Sequence, residues 1–126
     1  MNRHDLVSRV SELTGIDSEA AERALRATIS TLVEALASDE ADALGRELPS
    51  ELRSLVHGHA MAMPLDREAL IANVAVREAT DLGFATEHAA CACRALSEQL
   101  SPELRARLVR HLPRLAPLLD AGASDS

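Results

Sequence analysis

The sequence predicts an all-α fold: about eight helices, arranged as two tandem four-helix repeats packed into one compact bundle. Three observations predict it. Apolar residues recur at helical spacing along the whole chain, and no segment alternates as a strand would. Gly, Pro and Ser/Asp/Thr breaks cut that pattern into helix-length pieces. The pieces also come round twice: Leu36, Leu44 and Leu48-Pro49 are matched 64 positions later by Leu100, Leu108 and Leu112-Pro113.

Taken in order, a first helix starts at Asn2 or His4, with Leu6, Val7, Val10 and Leu13 on one stripe. Gly15 ends it, and Ile16 turns an apolar side chain back to the core. Asp17 or Ser18 caps a long second helix, whose inner face is Ala21, Leu25, Thr28, Ile29, Leu32, Val33 and Leu36. Alanines on that helix allow neighbours to approach closely. Ser38 is expected to cap a third helix that buries Ala41, Leu44 and Leu48. Pro49 breaks the chain before a short fourth helix carrying Leu52, Leu55 and Val56.

Residues 58–65 connect the halves, with Met61 and Met63 resting on the surface. Asp66 caps a fifth helix with Leu70, Ile71, Val74 and Ala75 inside. Gly83-Phe84 is expected to repeat Gly15-Ile16, which places the cap of the sixth helix at Thr86-Glu87. Gly83 lies 68 positions after Gly15, so this alignment implies four residues, about one helical turn, lost from the sixth helix. Ser101-Pro102-Glu103 opens a seventh helix with Leu104, Leu108 and Leu112. Pro113 opens a last short one, made irregular by Pro117. One helical domain is thus expected over residues 1–120. It comprises repeat one at about 3–57, the connection, repeat two at about 66–120, and then a disordered tail at 121–126.

Composition narrows the function classes. Phe84 is the sole aromatic residue, with no Tyr or Trp, so aromatic cages and base-stacking platforms are nearly excluded. The formal charge is -7 and every basic residue is Arg. Such a balance disfavours nucleic acid and anionic membranes, both of which reward clustered positive charge. No apolar run approaches the ~20 residues of a membrane span, and no signal region opens the chain. Cys91 and Cys93 read as reduced thiols, because a disulfide across one residue would distort the backbone. A cytoplasmic location is expected.

The run of features also resembles a known family. An apolar helix with Val7 to Val10 leads to a Gly-apolar turn and a capped helix with Ala20-Ala21 and Leu32 to Leu36. A Glu40-Ala41-x-x-Leu44 helix then ends in Leu48-Pro49. A second copy carries Val74-Ala75, Arg77-Glu78 and Leu112-Pro113. In this it is similar to the bacterial family called domain of unknown function 2267, from about Asp5 to Leu119. Members typically have Gln before Leu-Pro, where this chain has Glu47 and His111, and commonly Phe in the first helix, where it has Leu6. The resemblance implies a helical repeat protein and brings no activity, cofactor or catalytic residue with it.

Candidate chemistry is sparse. His88 and Cys91 share a helical face and make the best metal pair, but two ligands are not a site, and a buried Cys acting as an apolar residue is commoner. His57 and His59, near Met61 and Met63, suit a soft metal. A helix end and an exposed loop explain them equally well. His111 could approach any of these only through the fold. Asp39, Glu40 and Asp42 favour a helix start rather than a calcium loop. No nucleophile elbow or phosphate loop occurs, so no catalytic residue, cofactor or metal is assigned.

Arg105, Arg107, Arg110 and Arg114 crowd the end of the chain, opposite an acid-rich first half, a polarity suited to self-association or a protein partner. The expectation is therefore a non-enzymatic protein-interaction or homo-oligomerisation module. The alternative is a small-molecule- or metal-responsive domain with its site between the repeats.

Overall fold

The computed structural model describes residues 1–57 and 60–120. Seven α-helices and two 3-10 turns make up the described residues: α1 (Arg3–Thr14), α2 (Ser18–Glu34), α3 (Ser38–Glu47), a 3-10 turn (Ser50–Val56), α4 (Arg67–Glu78), α5 (Leu82–Gln99), α6 (Pro102–His111), a 3-10 turn (Pro113–Leu115) and α7 (Ala116–Leu119). The chain is an all-α bundle. The expected fourth helix is a 3-10 segment, and the expected last helix divides into a 3-10 turn followed by one α-turn. Residues 121–126, expected as a tail, lie outside the described residues.

Local chemistry sets the starts. The side-chain oxygen of Asn2 accepts from the Asp5 N–H, Asp17 from Ala20, Asp66 from Ala69, and Asp81 from Phe84, at 2.8–2.9 Å. Ser101 does the same for Leu104 at 3.2 Å. Each satisfies a donor that a helix start leaves unpaired. Two expectations fail here. The residue before α3 is Ala37, which has no side-chain acceptor, and Ser38 is already the first helical residue. More consequentially, α5 is capped at Asp81, five residues before Thr86, because Asp81 is a competent cap that the Gly83-Phe84 alignment overlooked.

The corrected start removes the supposed deletion. Asn2 and Asp66, Asp17 and Asp81, and the first residues of α1 and α4, α2 and α5, and α3 and α6 are all 64 positions apart. The counterpart of Gly15 is therefore Ala79, not Gly83. Gly15 takes the left-handed conformation (φ 76°) that closes α1, and Ala79 takes it (φ 55°) to close α4. Gly83 sits in the first turn of α5, and Phe84 is 58% exposed rather than turned inward like half-buried Ile16.

Packing repeats as the boundaries do. α1 lies against α2 and α5; α4 lies against α5 and α2; α2 and α5 meet across the middle. The first 3-10 turn packs on α2 and α3, α7 on α5 and α6, and α3 meets α6. Exchanging the two sets leaves this pattern unchanged. One apolar cluster runs through both, from Leu6, Leu25, Ile29, Leu44 and Leu52 to Leu70, Leu96, Leu108 and Leu119. The connection returns over the end of α2, where Met61 and Met63 N–H groups reach the Glu34 carbonyl and Ala62 N–H reaches Leu36. Those carbonyls are among the ones a helix end leaves unpaired. Among the described residues, no helix is long and apolar enough to cross a membrane.

Candidate functional site

Polar side chains meet at the junctions between the two sets of helices. Glu98 on α5 receives two hydrogen bonds from Arg9 of α1, at 2.8 and 3.0 Å. Its counterpart 64 positions earlier, Glu34 on α2, receives Arg77 of α4. Each long helix thus ends in a glutamate that grips the first helix of the other set. The Arg9 hydrogen bonds, with help from Arg94, hold the Glu98 carboxyl below the usual carboxylate range against the opposing effect of burial.

A second junction joins α3 to α6. Glu40 is buried and takes Arg107 Nη2 at 2.7 Å and His111 Nε2 at 3.2 Å. Glu47 receives the backbone N–H and the hydroxyl of Ser101, at 2.7 and 2.6 Å. Arg107 and His111 are therefore spent inside the chain, on an acid of the first half. The charge asymmetry read from the sequence as partner steering serves, at these residues, the internal packing of α3 on α6. Glu47 and His111, the residues just before the two Leu-Pro breaks, both work at this junction.

The metal candidates separate. His88 is buried on α5, with Nδ1 3.1 and 3.2 Å from the two carboxylate oxygens of Glu78 on α4. Cys91 is half-buried, and burial and then Glu87 push its thiol up. Cys93 is fully buried, and burial alone pushes it up to about 12, which leaves a protonated, unreactive thiol. His111 belongs to Glu40. His57 lies at the end of the first 3-10 turn, and His59 is outside the described residues. Among the described residues no three His, Cys, Asp or Glu side chains are grouped to hold a metal ion.

The chain as a whole has a relative. The family model described as "Uncharacterized conserved protein (DUF2267)" matches residues 3–118. The chain belongs to the DUF2267 family. No curated protein matches it. The match thus runs from the start of α1 into α7 and assigns no chemistry to the chain.

Two concavities are relevant to function. One, of about 200 Å³, lies between the halves and is lined by Glu47, Ser101, Glu103, Leu104, Arg46 and Arg107 among others. Most of its polar groups already answer one another. The other, of about 380 Å³, lies between α3 and the first 3-10 turn, wholly within the first half, and is lined by Asp42, Gly45, Arg46, Arg53, Val56 and His57. His57 faces this cleft. The arginines beside it could not be singled out from sequence, because their closeness depends on how the 3-10 turn folds back on α3.

Proposed function

We propose that this DUF2267 protein is a non-catalytic protein-interaction or homo-oligomerisation module, and that its contact surface lies at the α4–α5 corner. The observation that carries this reading is a difference between counterparts. Val76, Leu82 and Phe84 are 82%, 61% and 58% exposed. The residues 64 positions earlier are Glu12, Ser18 and Ala20. The same fold thus stands in the first half with polar or small residues at these three positions, and the core does not use the second half's apolar ones. Phe84 touches the ring of His88 but remains largely open to water, and exposed large apolar side chains are the usual material of an interface. The formal charge of -7 speaks against nucleic acid as the partner.

The test transplants the first half's residues: Val76→Glu, Leu82→Ser and Phe84→Ala together. The natural chain should associate, with itself in light scattering or with a captured partner in a pull-down. The triple variant should lose that association while melting at the same temperature. A natural chain that stays strictly monomeric over a wide concentration range and captures nothing the variant misses would sink the reading.

A further inference from the structure

The cleft between α3 and the first 3-10 turn carries two guanidinium groups that pair with no carboxylate among the described residues. Arg53 is held by its Nε, which donates to the carbonyls of Gly45 and Leu48 at 3.1 Å each. Its two terminal nitrogens have no partner among the described residues. Arg46, on the same lining, has no hydrogen bond or ion pair there at all. Asp42 lines the cleft too, one turn before Arg46, yet pairs with neither. Among the described residues Arg67, Arg105, Arg110 and Arg114 also lack a carboxylate partner; what marks Arg46 and Arg53 is that they line one cleft together.

The arrangement is also specific to this half. Gly45 lets the 3-10 turn close on α3: a Cβ there would stand 2.7 Å from Val56 Cγ2. That approach brings Arg53 to the end of α3, where the carbonyls attract a cation and fix the side chain. At the corresponding end of α6, the counterparts of Gly45 and Arg53 are Val109 and Pro117. A helix end of this type therefore forms without an arginine on its carbonyls. The fold does not require Arg53, and anchoring it by Nε leaves its fork of N–H donors to face outward.

We infer that this cleft binds the carboxylate or phosphoryl group of a small organic anion, with Arg53 and Arg46 as donors. A planar guanidinium fork fits either group with paired hydrogen bonds. His57 adds a ring N–H at the edge. An adjoining hollow of about 200 Å³ shares Asp42, Val56 and His57 and continues to Ser38, Ala41 and Ala60, a mixed lining in which Val56 and the two alanines can meet the ligand's carbon skeleton.

The test is an amide NMR titration of the full chain with inorganic phosphate and, separately, with acetate. Sodium chloride at matched ionic strength is the control. Saturable shifts are expected at Gly45, Arg46, Arg53 and Val56, and none at Arg110 or Arg114, which are exposed elsewhere. Whichever probe binds more tightly names the head group. Arg46→Gln, which breaks no internal bond, should weaken binding about tenfold, the size of one lost charge-assisted hydrogen bond. Arg53→Gln should weaken it at least as much, and Asp42→Asn should tighten it. Shifts that chloride reproduces, that never saturate, or that survive in the Arg46→Gln, Arg53→Gln double variant would overturn the inference.

Discussion

The first half (residues 2–57) and the second (residues 66–120) share caps, helix starts and contacts at a constant spacing, and differ in how they finish. In the first, a glycine closes α1, the corner before α2 is polar, and a seven-residue 3-10 turn folds onto α3 beside an arginine-lined cleft. In the second, an alanine closes α4, the corner is apolar and exposed, and a short 3-10 turn and one α-turn follow α6. What the halves share is what a bundle needs to bury its leucines. Where they differ, the fold is indifferent, and those positions are the places to look for function. The apolar corner of the second half and the cleft of the first carry no packing requirement in common.

The most forceful way to break this comparison is to hollow out both halves. Leu44 and Leu108 are counterparts, 0% and 2% exposed, in one apolar cluster. Leu44→Ala and Leu108→Ala should each cost about 2–5 kcal/mol, from lost transfer energy plus the cavity left behind. Because the cluster is continuous, each variant should shift one cooperative transition in a denaturant melt followed by circular dichroism. Two transitions, only one of them moved by a given substitution, would mean that the halves fold separately.

Much of this molecule could be read from its residues, and the failures have a common cause. The stripes, the proline breaks, and the caps at Asp17, Asp66 and Ser101 are local, so spacing and side-chain chemistry reveal them. The start of α5 was misplaced because glycine is the expected left-handed residue, and Gly83 drew the alignment away from Ala79. A non-glycine residue at positive φ leaves no mark in a sequence. Glu40 looked like a helix-start acid and is one, but its burial under Arg107 and His111 depends on α6, whose Arg107 is 67 residues away. The cleft was invisible for the same reason. Arg46 and Arg53 become neighbours only because Gly45 admits Val56.

Ala79 offers a gentler and more specific probe. Left-handed backbone costs an L-residue about 1–2 kcal/mol, a cost that glycine avoids. Ala79→Gly makes the second half end α4 as the first ends α1, and should stabilise the protein by about 1 kcal/mol. Gly15→Ala should destabilise it by a similar amount; a Cβ at Gly15 meets nothing within 4 Å, so the backbone conformation alone is being tested. Thermal melts of the two variants and of the pair would measure this. Equal signs for the two substitutions would mean that the two helix ends are not equivalent.

The smallest expected effect concerns the clasps between the halves. Arg9–Glu98 and Arg77–Glu34 share counterpart glutamates but not counterpart arginines, since Asn73 and Leu13 stand 64 positions from Arg9 and Arg77; their side chains are 23–36% exposed. Ion pairs so open to water contribute about 0.2–1 kcal/mol each. For Glu98 the sign with pH is fixed. Its carboxyl is held below the ordinary value by the Arg9 hydrogen bonds, so it adds stability above the unfolded glutamate value of about 4.3, and loses it as pH falls through the lower folded value. Arg9→Gln should therefore be less stable than the natural chain by a constant amount at neutral pH, and the gap should close in acid. A gap that persists unchanged at low pH would assign the loss to packing of the Arg9 stem against α5 rather than to its charge. The clasp would then hold the halves together as an apolar contact.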